Sequence, residues 1–322
     1  MAWKVVVSRP LLSSTDAHVG CTIEAFPRNP AEHLTLIVPY SSRPTRLTAY
    51  LAAYKRLVWA DPDVTLMIST LSKDVKDVVK AVTAAGLPHT PHPKAETTGL
   101  NAPVPLHVHG VSILTTSGDR SGAFSRSVAI REAVKRLPTT ALFFVTDVDL
   151  EVKVGAVRNC RSNALIGGQA WFPIFWSFYA ATKPVLIASS GFWRTSSYGP
   201  VCVHKNNWDA AGGFGGNEER RYVGWGSEDV DLYSVFQDSP DIAVMRGLEP
   251  NLYHAWHGKA CAHNMAYAAC VKTVAMSMAS QERLAQLAGR SSAGHGPTGR
   301  KSAISRFSIF SRTFSERPPI CV

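Results

Sequence analysis

The sequence predicts an α/β fold: a single Rossmann-like domain over residues 33–287, built on a mostly parallel central sheet. Three observations carry this. Strand and helix patterns alternate from residue 33 to residue 150. The run Ala141–Thr146 is short and almost wholly apolar, as in a strand buried on both faces of a parallel sheet. And with 45% apolar and only 18% charged residues, the 322-residue chain can bury a core.

The elements follow in order. Residues 1–32 show weak periodicity and no clear element, and read as an N-terminal extension. Leu34–Pro39 is a short apolar run stopped by proline, hence a strand. After Pro44, Leu47, Leu51, Tyr54 and Val58 recur along one face of a helix. Val64–Ser69 reads as a second strand and Asp74–Ala84 as a helix. Residues 86–110 hold five prolines and four histidines and read as a loop. Val111–Thr116 resembles a strand, and Ser121 is placed to cap a helix running to Leu137. Beyond residue 150 the rhythm becomes irregular. It gives an aromatic-rich strand over Ala170–Phe178, a helix from about Ser227 to Phe236 and a last helix over Met265–Leu287. Residues 288–322 shift to Ser, Gly, Pro and Arg and read as a disordered basic tail.

Charge and cysteine content bound the function. Lys and Arg total 34 against 24 Asp and Glu, a formal +10, which first suggests a polyanionic partner. Residues 283–322 carry seven basic side chains against Glu316 alone, a net +6, which leaves +4 for residues 1–282. The excess therefore sits mainly in the tail, and nucleic acid is not an expected partner of the domain. The six cysteines form no CxxC pair, against a zinc ribbon, and are too sparse for a disulfide scaffold. No run offers the roughly 20 apolar residues of a membrane span, and the first residues lack the apolar region of a signal peptide. P-loop, GxGxxG and GxSxG signatures are absent from the sequence.

Three short motifs carry chemistry. Asp147-Val148-Asp149 follows the most apolar strand. Carboxylates there face the crevice where α/β sheets bind ligands, and they suit a hard divalent ion that neutralises a diphosphate. The same pair also occurs by chance at a turn. Gly224-Trp225-Gly226 implies a tight loop presenting an indole for stacking on a sugar, and Ser227 then caps a helix opening with Glu228 and Asp229. A carboxylate at a helix N-terminus is favoured as an anion and can accept a proton from a hydroxyl, though an acidic first turn is also common. His254 and His257 can face one metal if the backbone turns helically between them, though a His pair is more often packed or exposed. Arg43, Arg46 and Arg126 are candidate phosphate forks, or ordinary surface charges.

In this order the motifs resemble the GalNAc-transferring domain of the chondroitin synthase and chondroitin N-acetylgalactosaminyltransferase family, and more distantly the β4-galactosyltransferases. The resemblance runs through Ile37–Tyr40 with Arg43, Phe124-Ser125-Arg126, Phe143–Asp149, Asn159-Cys160-Arg161, Phe172-Pro173, Gly191–Arg194, Gly212–Phe214, Gly224–Leu232 and His254–Cys261. It implies a GT-A glycosyltransferase fold and an inverting, Mn²⁺-dependent transfer from a UDP-sugar, with UDP-GalNAc the implied donor and a chondroitin-type glycan the implied acceptor. Asp149, His257 and His254 would hold the metal. Pro39, Tyr40, Arg43, Arg126 and Asp147 would line the donor pocket. Trp225 and Glu228 would hold the acceptor, and Asp229 would be the general base. The family implies the Golgi and association with other glycosyltransferases. A β4-galactosyl- or other hexosyltransferase with the same site, or a weakly active partner subunit of a glycan polymerase, are the alternatives. Two departures concern the acceptor side: Gly215 stands where the family usually has Asp after GGF, and nine residues, 215–223, precede Gly224.

Overall fold

Five parallel strands form the centre of the molecule, and a cleft opens at the C-terminal ends of two of them, by Pro39 and Asp147. The computed structural model describes residues 2–8, 20–26, 32–91, 110–119, 121–180, 182, 184–214, 227–259, 261 and 267–278. In chain order the elements are β1 (Ala2–Ser8), β2 (Gly20–Phe26), β3 (Leu34–Tyr40), α1 (Pro44–Ala60), β4 (Val64–Leu71), α2 (Val75–Ala84), β5 (His89–Pro91) and β6 (Val111–Thr116). Then come α3 (Arg126–Lys135), β7 (Leu142–Val145), β8 (Leu150–Val152), α4 (Val154–Asn163), β9 (Gln169–Trp171), β10 (Ile174–Phe178), β11 (Gly191–Trp193) and β12 (Val201–His204). The last are α5 (Lys205–Ala211), α6 (Glu228–Asp238), β13 (Ala243–Met245), β14 (Leu248–His254) and α7 (Tyr267–Met278).

The main sheet has the order β13-β9-β12-β7-β3-β4-β6-β5. Strands β7, β3, β4, β6 and β5 all pair in parallel, β12 lies antiparallel to both β7 and β9, and β13 is parallel to β9. The α/β class with a mostly parallel sheet, expected for a GT-A domain, is therefore the one adopted. A second sheet, β11-β10-β14-β8, stands beside it.

The burial pattern explains why β3 reads as a continuous apolar run. Leu34, Leu36, Val38 and Tyr40 join one core with Leu47, Leu51 and Tyr54 of α1. Ile37 joins the opposite core with Met67, Phe143, Val145, Trp208 and Phe236. Both faces of the sheet are covered, so no polar alternation survives. Cys160 of α4 is disulfide-bonded to Cys202 of β12, and Cys261 to Cys270 of α7.

Several elements differ from the sequence reading. The first 32 residues contain a hairpin, β1 antiparallel to β2 in a seven-pair register. Its β-branched residues Val5, Val6, Val7, Thr22 and Ile23 favour strand over the weak periodicity read there. The strand expected over Ala170–Phe178 is two strands, β9 and β10, in different sheets. Pro173 separates them, because it cannot donate to a ladder. Helix α3 starts after Ser125 and not Ser121. The Ser125 hydroxyl accepts the Val128 N–H, whereas the Ser121 N–H and hydroxyl both donate to Asp119 in a turn. The last helix is described over Tyr267–Met278, and residues 279–322, including the tail, lie outside the described residues.

Candidate active site

At the end of β7, the Thr146 N–H donates to the Ile37 carbonyl, 2.9 Å away, and the Thr146 hydroxyl pairs with that of Tyr50 on α1 at 3.1 Å. The chain then turns, with the Leu150 N–H donating to the Asp147 carbonyl. This fixed turn sends both carboxylates into a cleft of about 490 Å³. Asp147 and Asp149, Pro39, Arg43 and Arg126, Glu228 and Asp229, and His254 and His257 all line it.

Asp149 is buried, and one of its oxygens collects three nitrogen partners. Its Oδ2 lies 2.7 Å from His257 Nε2, 2.9 Å from Arg43 Nη1 and 3.8 Å from His254 Nε2. Burial alone would push its carboxyl up, but the His257 hydrogen bond and the charges of His254, His257 and Arg43 hold it well below the usual carboxylate range. His254 is pushed down to about 3 by burial, so its ring is neutral near pH 7. A neutral imidazole is the form that ligates a metal.

The two histidines converge without the helical turn that the sequence reading required. His254 ends β14, next to Ser177 of β10 and Leu150 of β8, and its Nδ1 lies 3.1 Å from the Ser177 hydroxyl. His257 follows in irregular backbone, with its Nδ1 3.0 Å from the Gly258 carbonyl and its Nε2 facing Asp149. Arg46 pins the segment between them by donating to the Trp256 carbonyl. Arg46 thus braces the backbone between the two histidines.

One carboxylate oxygen and two imidazole nitrogens, all within 4.8 Å of one another, form a plausible divalent-cation set. Carboxylate with imidazole is a mixed oxygen and nitrogen set that suits a divalent cation. The Ser177 hydroxyl on His254 is the outer contact that orients such a ligand.

Of the residues expected on the donor side, Pro39, Arg43, Arg126 and Asp147 line the cleft and Tyr40 does not. Arg126 donates through Nε to Asp147 at 2.9 Å and through Nη2 to the Gly199 carbonyl at 3.0 Å. Its Nη1 is buried with no hydrogen-bond partner among the described residues. Burial opposes its charge, but Asp147, Glu228 and Asp229 more than offset that and raise its pKa. Tyr40 does not line the cleft. Its ring is buried in the core, and its hydroxyl accepts the Arg43 backbone N–H at 3.1 Å, so it supports Arg43 from beneath. A strand residue one place past Pro39 points to the opposite face of the sheet.

On the far side, Glu228 and Asp229 open α6. Asp229 Oδ2 accepts the Tyr198 backbone N–H at 3.4 Å, and Oδ1 accepts the Val230 N–H at 3.1 Å. Ser227 occupies the N-cap position but makes no side-chain cap bond, contrary to the sequence reading, because its backbone is left-handed at φ 77°. Trp225 lies outside the described residues.

A family model described as Chondroitin N-acetylgalactosaminyltransferase matches residues 22–284. The chain belongs to this family. Human chondroitin sulfate N-acetylgalactosaminyltransferase 2 is 31% identical over 169 residues, covering 46% of this chain and 30% of the relative. Human chondroitin sulfate synthase 3 is 32% identical over 180 residues, covering 52% of this chain and 20% of the relative. The chain thus spans less than a third of the length of these relatives. Among solved structures, a Pyrobaculum calidifontis mannosyltransferase in complex with GDP-Man and Mn²⁺ aligns with a TM-score of 0.43 at 12% identity, covering 76% of this chain and 61% of the other. Glucosyl-3-phosphoglycerate synthase from Mycobacterium tuberculosis aligns with a TM-score of 0.41 at 12% identity, covering 83% and 81%.

This family member also brings residues to the cleft to which sequence reasoning gave no role. Arg194 lines it beside the Phe175 ring, and burial lowers its pKa despite Asp149, Asp229 and Asp147 nearby. Lys259 lines it too, and burial with the Arg194 charge brings its pKa down to about 8. Arg194 stands inside GFWR and Lys259 inside HGKAC, and a cation within a motif shared with the family was the available signal. Ser177 gave none, since its place beside His254 depends on pairing across 77 residues of sequence.

Proposed function

We propose that this protein is an inverting, divalent-metal-dependent glycosyltransferase that moves GalNAc from UDP-GalNAc to a chondroitin-type glycan. The observation that carries the reading is one cleft with Asp149, His254 and His257 on one wall and the α6 carboxylate Asp229 on the other. Family membership and the 31–32% identity to human chondroitin enzymes support the donor and the acceptor.

In this mechanism Asp229 accepts the proton of the acceptor hydroxyl as its oxygen attacks the anomeric carbon. The bond from that carbon to the diphosphate oxygen breaks, and UDP departs with the electron pair. Asp149, His254 and His257 would hold a Mn²⁺ ion, which would supply positive charge to the diphosphate. Arg126, already braced by Asp147 and the Gly199 carbonyl, offers its unpartnered Nη1 to the donor. Arg43, which lines the cleft beside Asp149, would offer its guanidinium to a phosphate oxygen of the donor. Glu228 and Trp225 orient the acceptor sugar. No covalent intermediate is required, in keeping with a single displacement.

The protein works in the secretory lumen, in the Golgi. Two disulfides fit an oxidising compartment. No helix among the described residues is long and apolar enough to cross a membrane.

The test incubates the purified protein with Mn²⁺ and a panel of UDP-sugars, and follows UDP release with and without chondroitin oligosaccharides. Acceptor-dependent release from UDP-GalNAc is expected. Release from UDP-galactose alone would move the reading to a galactosyltransferase, and no turnover with any donor would overturn it.

A further inference from the structure

The loop after β11 holds Asp229 by a single backbone N–H, and that loop is itself held from behind. Arg246, in the turn between β13 and β14, donates through Nη2 to the Thr195 carbonyl at 2.7 Å. Both of its terminal nitrogens reach the Ser197 carbonyl at 3.3 Å. Its guanidinium lies 4.4 Å from the centre of the Tyr198 ring and 5.4 Å from that of Tyr233. The two rings stack on one another at 4.2 Å. Tyr233 sits one helical turn after Asp229 on α6, and its other contact is the edge of Phe172 in the core.

We propose that Arg246 is a positioning residue for Asp229, acting through the Thr195–Tyr198 loop and the Tyr198–Tyr233 stack to aim the base at the acceptor hydroxyl. The inference rests on the reading of Asp229 as the base. Arg246 does not line the cleft, so its effect on the reaction passes through the loop. An Arg serves here because a flat guanidinium can donate to two carbonyls and cover a ring face together. The two ends of the loop are held differently. Gly199 is fixed by Arg126, which Asp147 holds independently of Arg246. Loss of Arg246 therefore falls on the Tyr198 end, beside Asp229, and spares the donor end.

The experiment compares wild type with Arg246→Ala, Arg246→Lys, Tyr233→Phe and Tyr233→Leu, by steady-state kinetics in Mn²⁺ and by amide exchange of residues 195–199. Arg246→Ala is expected to lower kcat about ten- to a hundred-fold with donor KM within about two-fold of wild type. Its Tyr198 amide exchanges faster. Arg246→Lys is intermediate, since an ammonium keeps the ring contact but not the paired carbonyls. Tyr233→Phe keeps the stacked face and stays near wild type, whereas Tyr233→Leu follows Arg246→Ala. Wild-type kcat with Tyr198 amide protection retained in Arg246→Ala would overturn the proposal, as would equal behaviour of the two Tyr233 variants. If Arg246→Ala fails to fold, the Tyr233 pair decides. Absence of turnover in wild type would sink the function reading instead, and the Tyr198 amide would still report whether Arg246 holds the loop.

Discussion

The two walls of the cleft are built by different means. The proposed metal and donor wall is a set of side-chain contacts: Arg43 and His257 with Asp149, and Arg126 with Asp147. The base wall presents Asp229 through backbone N–H groups from Tyr198 and Val230. Ion pairs hold carboxylates ready for a cation, and each arginine already sits where phosphate charge would arrive. Among the described residues, no ion pair to Asp229 competes with those backbone donors for its carboxylate. On the proposed reading, the cleft keeps one carboxylate for charge and another for proton transfer.

The largest effect separates the walls directly. Asp149→Ala is expected to abolish Mn²⁺ binding by calorimetry together with transfer, since it removes the central ligand. Asp229→Asn is expected to lower kcat about a hundred- to ten-thousand-fold while Mn²⁺ and UDP still bind. If Asp229→Asn lost metal binding as well, the two walls would not be functionally distinct.

A smaller effect probes the outer contact of the metal wall. Ser177→Ala removes the hydrogen bond that orients His254. Mn²⁺ affinity should fall about ten- to a hundred-fold, with kcat at saturating Mn²⁺ near wild type. An unchanged affinity would mean that packing beneath Phe175 alone fixes the ring.

How much of this was legible in the sequence follows the range of the interactions. Asp147, Asp149, Glu228 and Asp229 were readable because each sits at the end of a local pattern, an apolar run or a helix start. The central strands and α1 were readable for the same reason. The Ser177–His254 contact and the Arg246 clamp depend on strand register and loop closure across the chain, and no local spacing encodes them. Tyr40 was misplaced because a motif names neighbours without saying which face of the strand each occupies. His254 and His257 were found by a spacing whose assumed helical cause was absent. The β10–β14–β8 pairing and Arg46 bring them together instead.

Acid should weaken the metal wall in the metal-free protein. His254 has a folded value of about 3 against an ordinary 6.5, so between those pH values the unfolded chain binds more protons than the folded one. Stability then rises with pH through that window and is lost on acidification. For a single group with these two values, the loss from pH 7.5 to pH 5 is about 2 kcal/mol. Asp149, held below its ordinary 3.8, acts in the same direction at still lower pH. Urea midpoints at the two pH values should show the loss in wild type and a reduced one in His254→Gln. An equal slope in both proteins would assign the acid sensitivity elsewhere.

The smallest effect compares the helices that enter the cleft from each wall. Both follow a serine, but only Ser125 accepts an N–H from its helix, at 3.5 Å from Val128 N, while also pairing with Ser127. Ser227 makes no such bond and sits at φ 77°. Ser125→Ala should therefore cost about 1 kcal/mol in chemical unfolding. Ser227→Ala should cost less than that, since no cap is lost and the left-handed strain is shared by both side chains. Ser227→Gly removes that strain but frees the unfolded chain, and the two effects oppose one another. Relief of a left-handed backbone, about 1 kcal/mol, is the larger where no side-chain bond is surrendered, so Ser227→Gly should be neutral to slightly stabilising. A loss at Ser227 equal to that at Ser125 would show that both helices are capped alike and would erase this part of the contrast between the walls.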